Sequence, residues 1–510
     1  MKAAAGMSAS WSEANLWPAI RKAPVVVVLA GVDSSEIVDA ALGDTALTDT
    51  VMVRFEPNCT APCDALLWRL ETASGESLNQ PGLVARHWHR PPYALTVRLV
   101  RYQPGSQVPE ILDEGTIGTR GPRAAFRAAA DRLAMRFVRD ATLNRNRGPA
   151  GTTPARGVSG LPGWLDHLRA QWHDRLTTEW WSVGTAAAPA QRVLLGGGLG
   201  AVTWYRTQTG NRYLADPFPW PGTNRILCEE MPLHDGVGRI VAVAEAGGIL
   251  SPHAILLEDQ HHHSYPCAFQ DGDSVYCVPE SARRGATRIY RLDDNGRLIA
   301  VCDPTPNLRL ADPTLFKWNG VYWLACTDLD LGDHDNLCLL HAASKHGPWT
   351  PHARWPVRID IRGARPAGMV FNIDGRLFRP GQDCASTYGA AVAIHEVSRL
   401  TETDFHESLV TILRPDSSGP FPHGLHTLVH DGEKFWVDGK RFVLDLGLFR
   451  RKACGRASRM FGRVGVACAC PDRLLLPPTR LSPYHRHLAR WGDRVRCRSR
   501  SIFMTSLEAG

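Results

Sequence analysis

Residues 311–328 read ADPTLFKWNGVYWLACTD, and the rest of the chain is best read outward from them. Asp312-Pro313 opens a short run that suits a strand. Asn319-Gly320 follows, a dipeptide in which both residues tolerate positive φ and so make a two-residue hairpin turn. A second strand runs from Val321 to Ala325 and leads to Asp328. The same order recurs four more times. The prolines stand at Asp216-Pro217, Tyr265-Pro266, Arg365-Pro366 and Phe421-Pro422, and the turns at Pro221-Gly222, Asp271-Gly272, Asp374-Gly375 and Asp431-Gly432. Third strands are visible at 287–292 and 337–341. A unit of about 50 residues with three or four antiparallel strands, repeated five times, predicts an all-β five-bladed β-propeller over residues 186–445. A β-sandwich with coincidental proline spacing is the competing architecture, and five pairings of proline with turn weigh against it.

The flanks differ in composition. Residues 1–145 read as an α/β domain. Val25–Ala30 is a buried strand, a helical pattern covers 34–42, and an alanine- and arginine-rich helix closes the region at 122–139. Residues 146–185 are a linker followed by one more helix, Trp164 to Trp181. Residues 446–510 form a basic tail. The chain of 510 residues carries a net charge of +7, and much of the excess falls in that tail, as in Arg494, Arg496, Arg498 and Arg500. A charge run of this kind is a solvated extension, so no nucleic-acid partner is expected.

The 13 cysteines include Cys59/Cys63 and Cys468/Cys470, which lack matching second pairs, so zinc is not expected. The run His261-His262-His263 precedes a strand, where alternation keeps its rings from converging on one ion. The reading therefore predicts no metal and no cofactor. No stretch approaches 18 apolar residues and no secretory signal stands in front, so a cytoplasmic protein without a membrane span is expected.

In a ring of blades, the residues beside each proline and those ending each second strand meet at one mouth. The first set is Asp216, Tyr265, Asp312, Arg365 and His423. The second is Glu229 or Glu230, Glu280, Asp328, Gln382 with Asp383, and Asp438, although Asp438 in Val437-Asp438-Gly439 reads more as a turn. Strand propensity calls for no acids here. Convergent carboxylates suit a polyhydroxylated ligand, with Trp220, Tyr265, Phe269 and Tyr388 available to stack on a pyranose. Glycoside hydrolysis needs two carboxyl groups flanking the scissile bond, and crowding drives their pKa values apart.

Ser264-Tyr265-Pro266, Pro279-Glu280-Ser281, Arg365-Pro366-Ala367-Gly368 and 379–384 (RPGQDC) are similar to the propeller named for the N-terminal domain of plant glucosamine inositolphosphorylceramide transferase. The likeness covers about residues 175–442 and extends to glycosyl hydrolase family 43-like propellers. It implies catalytic acids at Asp216, Glu280 and Asp312, although the phrases around the last two differ from those of the glycosidases. By position, Tyr265, Arg365, Gln382, Asp383, Tyr388, His423 and His426 would hold the sugar. The N-terminal region resembles a formyltransferase through Val25–Ala30, Asp64-Ala65-Leu66-Leu67 and Pro91-Pro92-Tyr93. It lacks that family's His-x-Ser-Leu-Leu-Pro phrase, Arg86-His87-Trp88-His89 being the nearest, so a degenerate domain without formyl transfer is expected.

Two functions stay open. One is a carbohydrate-active enzyme that acts on or transfers a glycosyl unit. The other is a non-catalytic module that presents a glycan or glycolipid to a glycosyltransferase partner. A catalytic pair would leave two carboxyl groups facing each other with no arginine between them. A binding site would show each acid engaged by Arg or His above an aromatic floor.

Overall fold

The computed structural model describes residues 25–30, 50–55, 66–142 and 163–444, apart from short stretches within the last two spans. The helix expected at 34–42, residues 143–162 of the linker region, the tail from 445 and the pairs Cys59/Cys63 and Cys468/Cys470 lie outside the described residues. The chain is mostly β. No described helix is long and apolar enough to cross a membrane.

The N-terminal sheet has the order β2-β1-β3-β4-β5, with β1 Val25–Ala30, β2 Thr50–Phe55, β3 Leu66–Thr72, β4 Ala94–Tyr102 and β5 Glu110–Gly118. The apolar β1 pairs in parallel with β2 and β3, and β3, β4 and β5 are antiparallel. Helix α1 (Leu83–His87) is short, whereas α2 spans Arg123–Thr142. Phe126, Ala130, Leu133, Ala134 and Phe137 recur at helical spacing and bury against Leu95, Val97, Leu99, Leu112 and Ile117 of the sheet.

Helix α3 (Gly163–Leu176) stops earlier than the sequence pattern suggested. The next residues form β6, Thr177–Ala186. The run TTEWWSV is β-branched and aromatic, which favours a strand once a partner is present. That partner is Phe435–Leu444, paired antiparallel over ten residues from Phe435↔Ala186 to Leu444↔Thr177. The β-rich body therefore begins before the expected start at 186.

Five sheets follow, named I to V here, antiparallel throughout except that Arg206–Thr207 pairs in parallel with Ile249–Leu257 in I. Their first two strands are Arg212–Pro219 and Arg225–Pro232 in I, Ser264–Asp271 and Ser274–Glu280 in II, and Leu310–Trp318 and Val321–Asp328 in III. In IV they are Phe371–Ile373 and Arg376–Asp383, and in V Leu428–His430 and Phe435–Leu444. Each pair is joined at one of the five expected turns. Asn319, Gly320, Asp374 and Gly375 all take positive φ there, as the tight hairpin requires. Sheet V is completed by β6 and Thr203–Trp204, so both ends of the body share it.

Apolar seams join the sheets in sequence. Phe218 and Tyr265 bridge I and II, Phe316, Trp323, Leu377 and Phe405 bridge III and IV, and Ala367, Phe371, Leu428 and Phe435 bridge IV and V. Val183, Val429 and Trp436 of V share a cluster with Leu214 and Phe218 of I, returning the chain of contacts to its start. The N-terminal sheet joins this body through β5. Thr116 forms a parallel bridge with Asp360, and the Ile361 N–H donates to the Thr116 carbonyl at 2.9 Å.

Candidate functional site

The residues before the first three prolines have an uncommon backbone. Asp216, Tyr265 and Asp312 take φ of 51°, 48° and 49°, a region that costs a non-glycine residue energy unless its surroundings hold it. Each is held in the same way, by a carboxylate that accepts its N–H. The Asp216 N–H donates to Asp438 Oδ2 at 3.1 Å, the Tyr265 N–H to Asp216 Oδ2 at 3.1 Å, and the Asp312 N–H to Glu280 Oε2 at 3.1 Å. The first two of these bonds cross from sheet V to I and from I to II, and the third crosses from II to III. The acids that the sequence singled out therefore stitch neighbouring sheets together.

Arg365, on the segment that leads into sheet IV, continues the series. Its Nε and Nη2 donate to Asp312 at 2.6 and 3.2 Å, and Nη2 lies 3.7 Å from Glu280 Oε2. Gln382 adds a donor to the same Asp312 oxygen at 2.6 Å. Tyr265 is fully buried, and its hydroxyl accepts the Gly368 N–H at 2.6 Å and shares a hydrogen bond with Thr314 at 2.8 Å.

The other pole is His426. Its Nδ1 lies 2.6 Å from Asp438 Oδ2 and its Nε2 3.4 Å from Asp216 Oδ1. Thr427 donates its hydroxyl to that Asp216 oxygen at 2.6 Å. Burial works against a charged ring, but the carboxylates of Asp438 and Asp216 outweigh it and raise the His426 pKa. Burial also pushes Asp216 up to about 6, with His426 pulling back and Asp438 adding to the rise. Glu280 is pushed to about 8 by burial and then by the charge of Asp312, against Arg365. Glu280 is thus largely neutral near pH 7.

Among the described residues, Asp216, His426 and Asp438 bring ligand atoms within 4.8 Å of one another, close enough to hold an ion. A metal would need His426 unprotonated, whereas the two carboxylates favour its imidazolium, which already supplies the positive charge.

Above this floor lies an aromatic wall that the sequence showed only in part. The Trp181 ring meets His426 at 4.0 Å, tilted by 33°, and Tyr388 meets His426 at 5.3 Å and His334 at 5.4 Å. The Arg365 guanidinium lies 5.2 Å from the Tyr388 ring centre, a cation–π contact. Lys440 is fully buried, yet its Nζ bonds Glu179 at 3.1 Å, Thr387 at 3.4 Å and the Tyr388 carbonyl. Arg365 Nη1 donates to His334 Nδ1 at 3.2 Å, leaving Nε2 to carry the imidazole proton. Burial and the nearby Arg365 and Lys440 lower the His334 pKa to about 3, so this ring is a neutral donor.

Several expectations change. His423 is not on the floor. Its Nδ1 accepts the Phe442 N–H at 3.2 Å and its ring packs on Phe442 at 5.1 Å, because the inner strand of sheet V begins at Leu428 and not after Phe421-Pro422. Asp438 is not a turn residue; it sits within the long strand of sheet V and accepts the N–H groups of Asp216, His426 and Thr427. Asp328 turns to the Trp355 indole at 3.2 Å, and Glu230 to Arg212 and Arg239. Asp383 accepts the Ala385 N–H at 3.0 Å, shaping the loop that carries Tyr388, and burial raises its pKa. Trp220 and Phe269 lie in the apolar cluster toward the turn ends of their strands, away from the wall. Four residues of strand separate Phe269 from Tyr265, roughly 13 Å at a strand's rise.

A family model described as the N-terminal region of glucosamine inositolphosphorylceramide transferase 1 matches residues 227–418. The protein named glucosamine inositolphosphorylceramide transferase 1 in Oryza sativa subsp. indica is 29% identical over 216 residues, covering 40% of this chain and 28% of that protein. The one so named in Arabidopsis thaliana is 30% identical over 210 residues, covering 39% and 27%. The chain thus spans less than a third of either relative. Similar solved structures include an exo-β-1,3-galactanase from Clostridium thermocellum, with TM-score 0.32, 12% identity and coverage of 40% of this chain and 52% of that one. A GH43_1 enzyme from Xanthomonas citri has TM-score 0.33, 12% identity and coverage of 46% and 88%.

Proposed function

We propose that the five sheets close as a five-bladed β-propeller whose mouth binds a carbohydrate headgroup without cleaving it, presenting it to a glycosyltransferase partner. The observation that carries this reading is the Arg365 fork. It engages Asp312 directly and reaches to within 3.7 Å of Glu280, while His426 lies 3.4 Å from Asp216. Each acid of the expected catalytic set is thus already committed, and Asp216 and Glu280 each also hold a strained backbone N–H. The names of the relatives, which join glucosamine, inositol phosphate and ceramide, support a glycoconjugate as the ligand class. Part-exposed Tyr388 and His334 supply the stacking face and a donor of the kind a sugar ring uses, with buried Trp181 and Lys440 holding them from behind.

The second reading is hydrolysis or transfer, favoured by the perturbed pair of Asp216 near 6 and Glu280 near 8. Glycan-array binding with product analysis separates the two. Wild type binding a glycan left intact, with Tyr388→Ala weakening it at least about tenfold, a loss of about 1.4 kcal/mol, supports presentation. Turnover that disappears in Glu280→Gln would replace that reading with the enzymatic one. We also propose that the N-terminal unit is a formyltransferase-like fold that performs no formyl transfer. In support, His89 of the nearest candidate phrase is engaged by Asp166 at 3.3 Å and by the Gly121 N–H at 2.8 Å.

A further inference from the structure

Helix α3 shows its apolar side to solvent. Trp164, Leu165, Leu168 and Trp172 are 55, 37, 45 and 52% exposed, and helical spacing places them on one face. The inward side is polar. Asp166 accepts from the Tyr93 hydroxyl at 3.3 Å and lies 3.4 Å from Arg120 Nη2, His167 Nδ1 is 3.0 Å from His89, and Gln171 is 2.7 Å from His167. A surface helix of a soluble domain ordinarily turns its apolar stripe to the core. Here the helix is docked by hydrogen bonds and its four large apolar side chains are left outside.

Both ends of α3 touch the rim of the candidate site. Arg120, beside Asp166, also donates to the Ser386 carbonyl, two positions before Tyr388. At the other end the His173 ring meets Phe442 at 4.2 Å, and Lys440 Nζ lies 5.2 Å from that Phe442 ring.

We propose that α3 rests the protein on an anionic lipid surface, so that the adjacent site meets its ligand as the headgroup of a membrane lipid. Three observations favour lipid as the occupant. Paired tryptophans suit the headgroup level, where the ring is apolar and the indole N–H stays wet. Arg169 and Arg175 lie beside the stripe, Arg175 5.5 Å from the Trp172 ring centre, and these two guanidinium groups, against the one exposed carboxylate of Asp174, complement an anionic surface. The helix has 14 residues, about 21 Å at a helical rise, so it lies in the interface and does not span it. The identity of the headgroup rests on the carbohydrate reading above; the lipid surface does not.

The test is co-sedimentation of the full chain with phosphatidylcholine vesicles, with and without phosphatidylglycerol. Wild type should partition onto the anionic vesicles at least about tenfold more than the Trp164→Ser/Trp172→Ser double variant. Arg169→Glu/Arg175→Glu, which keeps the apolar face, should also lower partitioning, and added salt should weaken the wild type. Circular dichroism checks that each variant is folded. Absence of vesicle binding by wild type overturns the proposal, as does binding that both variants retain. A concentration-dependent dimer lost in the tryptophan variant overturns it in favour of a second copy. Soluble-glycan binding, measured in parallel, should survive in the variants. Its absence in wild type alongside vesicle binding would sink the headgroup reading and leave the lipid surface standing.

Discussion

Glu280 holds the Asp312 N–H while leaning toward protonation, and that combination makes its ionisation visible in stability. Its folded pKa is raised from an ordinary 4.5 to about 8, so the stability it contributes is complete below about pH 4.5 and is lost as pH rises through about 8. Asp216, raised to about 6, acts in the same direction over a lower window. Glu280→Gln copies the neutral acid. Its melting temperature relative to wild type should be flat below about pH 4.5, rise from there to about pH 8 and level off above, measured by thermal denaturation at stepped pH. A difference that stays constant would mean that Glu280 ionises as an ordinary carboxylate. At this scale the sequence was legible where a proline marked the position. Asp216, Tyr265, Asp312 and Arg365 stood out for that reason, and the structure places all four in the polar ring. Asp438 read more as a turn and Lys440 did not stand out, because only the pairing with β6 shows that their segment is a strand. Trp181 was hidden because it lies before the first repeat and looks helical from its neighbours.

The strand pairs and their turns were the most readable elements, since a hairpin is written locally in the Asn-Gly and Asp-Gly dipeptides. The fifth repeat was misplaced because Phe421-Pro422 imitates the other proline positions, whereas the strand itself starts at Leu428. Seams between sheets leave no local signature, and one of them turns on a glycine. Gly368 has φ 118°, and a Cβ added there would lie 2.0 Å from the Leu428 carbonyl oxygen, across the boundary between IV and V. The Leu428 N–H donates to the Ala367 carbonyl at 2.7 Å beside it, so the backbones cannot draw apart without losing that bond. Gly368→Ala should therefore destabilise the fold by about 2–4 kcal/mol, read from urea denaturation.

For the molecule as a whole, the N-terminal unit is more than a neighbour. Beyond the Thr116–Asp360 bridge, Arg120 holds Ser386 from outside while Lys440 holds Tyr388 from within. Ala94 of β4 packs with Ile361, Cys384 and Ala385 under the same loop. The loop carrying the aromatic wall is thus clamped between two parts of the chain that composition alone treats as separate. Arg120→Ala should weaken glycan binding by about tenfold, or about 1.4 kcal/mol, measured by titration calorimetry, and lower the melting temperature by less than about 3 °C. Equal affinity in the variant would mean that the loop keeps its shape unaided.

Sheet V takes strands from both ends of the β body, and this has a bearing on synthesis. As the chain leaves the ribosome, Thr177–Ala186 emerges early and must wait for Phe435–Leu444, the last described segment, before its long edge is covered. Throughout that interval an unpaired strand rich in tryptophan and threonine is open to other nascent chains. A message truncated shortly before codon 435 should therefore yield a product that aggregates or is degraded, even though sheets I to IV are complete.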